Sequence, residues 1–231
     1  MIQLSSSALG ILKECPRCFW LDRNKKVKRP QGIKSGMPVA VDNILKAALD
    51  KYRGTQLPPA LAREERLKGF QLYNGQDLPK MRHWASNPYK MTNSKGDKIV
   101  GAFDDLLVNP STEIYAYLDY KTTGKEPTQE FGEMYYQKQC DIYTQMLILG
   151  GKKVADFGVL LFFWPVPSKT GGVDFGERAI FLKPNPDAAE ALFKKAMECL
   201  EGPLPGPAND CEYCEHHRML GLFDEKGSAA K

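Results

Sequence analysis

Two short segments of this 231-residue chain place acids and a base where they could act together: Gly101 to Asp104 (GAFD) and Leu118 to Lys121 (LDYK). Strand side chains alternate, so Asp119 and Lys121 share a face, while adjacent Asp104 and Asp105 point to opposite faces and only one can join a given site. On neighbouring strands of a hairpin, Asp104, Asp119 and Lys121 would converge on one point. Two carboxylates and an ammonium around a divalent cation are what metal-assisted attack of water on a phosphodiester needs. Asp104 and Asp119, with the backbone carbonyl of Tyr120, offer the hard oxygens that magnesium or manganese prefers. Lys121 would hold or help deprotonate the attacking water and offset charge in the transition state.

Several elements must position these groups. Lys98 to Val108 (KIVGAFDDLLV) has the apolar content of a buried strand, which makes its aspartates costly unless they are paired or bind metal. Asn109 to Thr112 reads as a turn and Glu113 to Lys121 as the returning strand. Thr128 to Gly150 is long enough for about six helical turns. Within it Tyr136, Gln139, Cys140, Tyr143, Met146 and Leu147 recur at spacings of three and four. Gln139 and Tyr143 lie one turn apart and put polar tips on that apolar face, where Gln139 could orient the water or Lys121 and Tyr143 could hydrogen-bond a phosphate or a carboxylate. Phe157 to Val166 reads as a buried strand, Val173 to Lys183 as its antiparallel partner, and Asp187 to Glu201 as a helix.

In order and spacing, Gly101 and Asp104, then Asp119 and Lys121, then Gln139 and Tyr143 resemble the RecB-like exonuclease branch of the PD-(D/E)XK nuclease superfamily. The opening from Ser7 to Leu21 is similar to that of its exonucleases, including the CRISPR-associated ones, and the resemblance runs from about Ser5 to Cys214. It implies an α/β fold, with a mixed central sheet flanked by helices in a restriction-endonuclease-like core. It also implies magnesium or manganese chemistry on DNA, exonucleolytic and favouring single-stranded or frayed ends. A helicase, or a CRISPR-adaptation or repair partner, would accompany such an enzyme. The chain departs from the pattern upstream, where many relatives bring a histidine or glutamate to the metal. Here the predicted helix Val39 to Arg53 offers Asp42, with Lys46 one turn on. Asp42 is either a further ligand or an acid favoured by the helix dipole near Pro38.

The six cysteines form a second pattern. Cys140 and Cys199 sit singly in helical stretches and read as small apolar core residues. Cys15 and Cys18 near one end, and Cys211 and Cys214 near the other, have the spacing of metal ligands. Several RecB-like exonucleases staple their two ends with a [4Fe-4S] cluster, and Cys15, Cys211 and Cys214 match three of those positions. A two-plus-two set suits structural zinc equally well, and His216 or His217 could replace one thiolate. Nothing in the sequence points to secretion, which disfavours disulfides.

Length and charge bound the rest. A chain of this size can form one nuclease domain, 1–231, with N-terminal helices in 5–53, a helical or loop elaboration in 54–97, a catalytic sheet and helix in 98–183, and a C-terminal helix with the second cysteine pair in 186–218. The formal net charge of +4 is modest, but Arg23, Lys25, Lys26, Lys28 and Arg29 form a compact basic run beside Trp20. That run is either solvated surface or a phosphate-contacting strip with a base-stacking ring. Lysines contact the backbone and carry no sequence code. Neither a basic leader nor a membrane-length apolar run is apparent, so a soluble, cytoplasmic protein is expected. No Walker loop or dinucleotide fingerprint is present. The competing reading is a metal-stapled nucleic-acid-binding or adaptor protein with a degenerate nuclease core.

Overall fold

The computed structural model describes residues 1–30, 32, 36–219 and 221, and Ser5 opens its first helix. The Ser5 hydroxyl accepts the Ala8 amide at 3.2 Å and caps α1 (Ser6–Glu14), which buries Ala8, Leu9 and Leu12. Cys15 ends α1, and Pro16 begins the short α2 (Pro16–Trp20), the first-turn position where a missing N–H costs nothing. A π-helical turn over Leu21–Lys25 follows. The chain forms two compact units, Gln3–Lys34 with Glu190–Lys231, and Met1–Ile2 with Ser35–Ala189.

The larger unit is a mixed sheet between helices. After α3 (Met37–Leu49) come β1 (Gln71–Leu72), β2 (Asp105–Asn109), β3 (Ile114–Thr122), α4 (Gln129–Leu149), β4 (Lys153–Val154), β5 (Gly158–Pro167) and β6 (Val173–Leu182). The strand order is β1-β2-β3-β5-β6, with β4 pairing the start of β3. β2 and β3 form an antiparallel hairpin in which Asp105 opposes Leu118. β3 and β5 run parallel, joined through α4, with Asp119 opposite Leu160 and Lys121 opposite Phe162. Alternation along β3 gives each helix its own face. Leu118 and Tyr120 join Leu45 and Leu49 of α3 in one core, whereas Tyr117 and Asp119 meet Tyr143 and Gln139 of α4.

Helix α4 starts where the sequence predicts, because the Thr128 hydroxyl accepts the Phe131 amide at 3.2 Å. The predicted strand over 98–108 is a correction: strand pairing covers only Lys98–Ile99, and resumes at Asp105. The reason lies in where the backbone bonds of the intervening residues go. The Gly101 carbonyl accepts the Asn87 side-chain amide at 2.8 Å, the Phe103 N–H donates to the Met81 carbonyl at 3.0 Å, and the Asp104 carbonyl accepts Arg82 Nε at 2.9 Å. The 81–87 segment thus takes over the pairing that a neighbouring strand would otherwise supply. Helix α3 begins at Met37, two residues earlier than predicted, so Asp42 lies beyond its first turn and out of reach of the dipole argument.

The smaller unit includes α5 (Pro186–Glu201) from Glu190 onward and α6 (Glu212–Met219). Trp20 Nε1 donates to the Gly202 carbonyl and Asn24 Nδ2 to that of Leu200, each at 3.0 Å, tying the start of the chain to its return.

Candidate active site

Asp104 sits immediately before β2, and its carboxylate lies across the backbone of β3, with Oδ2 accepting the Tyr120 N–H at 3.2 Å. Its Oδ1 contacts the Lys46 ammonium at 2.7 Å, and the same ammonium reaches Asp42 Oδ2 at 2.8 Å. Asp119 is buried on the α4 face; its Oδ1 accepts Gln139 Nε2 at 2.9 Å. Asp119 Oδ2 makes no hydrogen bond of proper angle and faces the Lys121 ammonium as an ion pair. Burial pushes the Asp119 carboxyl above its ordinary value, with Asp104 adding to the rise and Lys121 opposing it. Burial alone would lower the Lys121 ammonium, but Asp119 and then Asp104 reverse the sign and hold it charged.

The Gly101 and Tyr143 signals meet in space. A Cβ on Gly101 would stand 2.5 Å from the Tyr143 hydroxyl oxygen and 2.6 Å from its ring, so that ring occupies the room a side chain would need. Tyr143 is buried and packs on Phe103 at 4.8 Å and Tyr117 at 5.3 Å between ring centroids, forming a wall behind the acids. Gly101→Ala is expected to lower stability by about 1–3 kcal/mol through this overpacking. Urea denaturation checks it, and an unchanged midpoint would show that the Tyr143 ring moves aside freely.

Asp105, on the opposite face, anchors a network that sequence reasoning did not find. Asp105 is fully buried and accepts Arg53 Nη1 at 3.0 Å, Arg82 Nη2 at 3.3 Å and the Tyr120 hydroxyl at 2.6 Å. Both arginines also bind Asp50, whose carboxyl is held low by Arg82, with burial opposing and Arg53 adding to the effect. A buried carboxylate in an apolar strand signals that partners exist. Nothing local says that one of them is Arg53, 52 positions upstream. Tyr136 is a further unforeseen neighbour, with Lys121 Nζ 5.0 Å from its ring centroid.

The oxygen donors suit a divalent ion. They are hard carboxylate oxygens whose present counter-charges are ammonium groups on flexible stems, and one of them, on Asp119, lacks a hydrogen bond. Asp42, Asp104 and Asp119 do not gather as a trio. Among the described residues, the one set of at least three such side chains with ligand atoms within 4.8 Å of one another is Cys15, Cys18, Cys211 and Cys214. Those four thiols meet in the smaller unit without a histidine.

The basic run divides. Lys25, Lys26 and Lys28 are exposed, but Arg23 pairs with Asp22 at 2.8 Å, and Arg29 pairs with Glu14 and stacks 4.4 Å from the Tyr213 ring centroid. Trp20 is half-buried, with its N–H committed to Gly202.

Residues 40–219 match the family model of the PD-(D/E)XK nuclease superfamily, and the chain belongs to that superfamily. Its nucleases use divalent metal ions to hydrolyse nucleic acids. No curated protein sequence matches significantly. Among solved structures, the chain is similar to SSO0001, at 16% identity and a TM-score of 0.42, over 92% of this chain and 82% of that one. It is also similar to a candidate exonuclease from Eubacterium rectale, at 12% identity and a TM-score of 0.46, over 94% of this chain and 88% of the other. Among the described residues, no helix is long and apolar enough to cross a membrane.

Proposed function

We propose that this protein is a magnesium- or manganese-dependent deoxyribonuclease of the RecB-like branch, acting as an exonuclease on single-stranded or frayed DNA ends. What supports the reading is that the Asp104 carboxylate accepts the N–H of Tyr120, the residue between Asp119 and Lys121 on β3, while Asp119 pairs with Lys121 and accepts Gln139. Asp104, Asp119 and the Tyr120 carbonyl would hold the ion, with Asp42 available if Lys46 swings away. When bound, the ion supplies a more acidic water and neutralises charge on the phosphate. Lys121 would orient the attacking water and offset the negative charge that builds on the phosphate. Gln139 fixes the Asp119 carboxylate through Oδ1 and leaves Oδ2 directed at the reacting centre. Tyr143 keeps the acids' rear face dry.

Lys25, Lys26 and Lys28 are proposed as phosphate contacts. Changing all three to alanine is expected to reduce the slope of log affinity against log salt by about 2, at roughly 0.7 per contact on single strands. A salt titration of binding to a labelled oligonucleotide measures it, and an unaltered slope would return the run to solvated surface. Less is expected from Trp20, Arg23 and Arg29, whose indole N–H and guanidinium Nη groups bond within the protein.

The reading places the enzyme in the cytoplasm, where thiols stay reduced, with a helicase or a CRISPR-adaptation or repair complex supplying opened ends. Linear and covalently closed circular single strands of one sequence test the exonuclease assignment. Degradation of the linear form with circles intact is expected, whereas nicking of circles would make the enzyme an endonuclease.

A further inference from the structure

We infer that the four-cysteine site holds one tetrahedral metal ion of the zinc class and not the [4Fe-4S] cluster that the RecB-like resemblance implies. Cys15 Sγ lies 3.6 Å from Cys214 Sγ, and Cys18 Sγ lies 3.6 Å from Cys211 Sγ and 3.5 Å from Cys214 Sγ. All four sulfurs are within 4.8 Å of one another. A zinc ion bonded to each sulfur at about 2.3 Å, with tetrahedral angles, sets the sulfurs about 3.8 Å apart. Those three separations, 3.5–3.6 Å, fall within about 0.3 Å of that value, and the rest stay within 4.8 Å. They are far too long for a disulfide, which needs about 2.05 Å, and all six cysteines are free.

A cubane places a different constraint on the same thiolates. Each would bind a separate iron at a separate corner, with the whole cluster interposed, so the sulfurs must stand farther apart than four ligands of one ion. The backbone presents the four thiols from two sides. Cys15 precedes α2 and Cys211 precedes α6, so each pair spans the opening turn of a short helix and turns two sulfurs toward the other pair.

The surroundings offset part of the charge. Four thiolates on a divalent ion leave a net charge of −2. The Ala208 N–H donates to Cys15 Sγ at 3.4 Å, and the Arg29 guanidinium hydrogen-bonds Cys18 while Glu14 and Tyr213 hold it in place. Arg29, in the predicted nucleic-acid strip, is therefore assigned as the counter-charge and orienting partner of the metal site. Four protein ligands leave no open position, so the ion is structural.

Metal analysis and a visible spectrum of the full chain, purified anaerobically from iron-replete cells, test the inference without reference to nuclease activity. About one zinc per chain and a colourless protein are expected. Exchange with cobalt should give the visible bands of a tetrahedral thiolate site. Arg29→Ala should weaken cobalt binding by about 10–100-fold. A brown protein with iron and labile sulfide would overturn the single-ion site, as would a folded chain without stoichiometric metal. Unchanged cobalt affinity in Arg29→Ala would overturn the role given to Arg29.

Discussion

Lys121→Ala is expected to slow DNA cleavage by about 10²–10⁴-fold, the range for a positioned proton-transfer or charge-stabilising group, while most of the DNA affinity survives. Lys121 lies one residue before the end of β3, with its side chain 19% exposed and its ammonium against Asp119. That ammonium can touch both the attacking water and the charge that develops on phosphate. Its removal also leaves the Asp119 carboxylate buried without its counter-charge, which favours the protonated acid and weakens the hold on a divalent ion. The loss should therefore appear in the single-turnover rate and in the metal concentration needed for half-maximal rate, with fluorescence-polarisation binding little changed. Activity equal to wild type would remove Lys121 from the chemistry. It would also revive the adaptor reading, in which the acid–lysine set is a remnant.

Asp105→Ala carries the second large effect, on stability: a loss of about 3–5 kcal/mol, the cost of stripping one partner from a buried ionic network. The guanidiniums of Arg53 and Arg82 and the hydroxyl of Tyr120 all converge on this fully buried carboxylate. Asp50 shares both arginines but cannot replace it, because its side chain is 37% exposed whereas Asp105 is fully buried. Adjacent Asp104 provides the contrast. Asp104→Asn should abolish cleavage and move the urea midpoint little, since among the described residues that side chain pairs with Lys46 and accepts the Tyr120 amide. Equal destabilisation by the two substitutions would contradict the assignment of neighbouring aspartates to opposite faces.

Much of the scaffold was legible because its signals are local. Thr128 marks the start of α4, the spacing from Tyr136 to Leu147 marks its inner face, and the alternation in β3 separates Asp119 and Lys121 from Tyr120. The fold class expected from the motifs, a mixed sheet flanked by helices, is the one observed. The illegible parts depend on partners distant in sequence. Pairing breaks at Gly101 to Asp104 because Met81, Arg82 and Asn87 take those backbone groups, and an apolar run gives no sign of that competition. A lysine or arginine in a basic run reads the same whether it meets solvent or a thiol. Arg29 and Lys28 are neighbours in sequence, yet one packs on Tyr213 and the other is exposed. The Gln139 amide was expected on water or Lys121, and it lies on Asp119 because one face of β3 turns that acid toward α4.

Cleavage of end-labelled linear DNA by the wild-type chain, with magnesium, manganese or a chelator as the sole variable, tests the metal-dependent nuclease most directly. The account predicts progressive loss of labelled strand with either ion, none with chelator, and recovery when the ion is restored. Intact DNA under both ions, or degradation that persists in chelator, would contradict it.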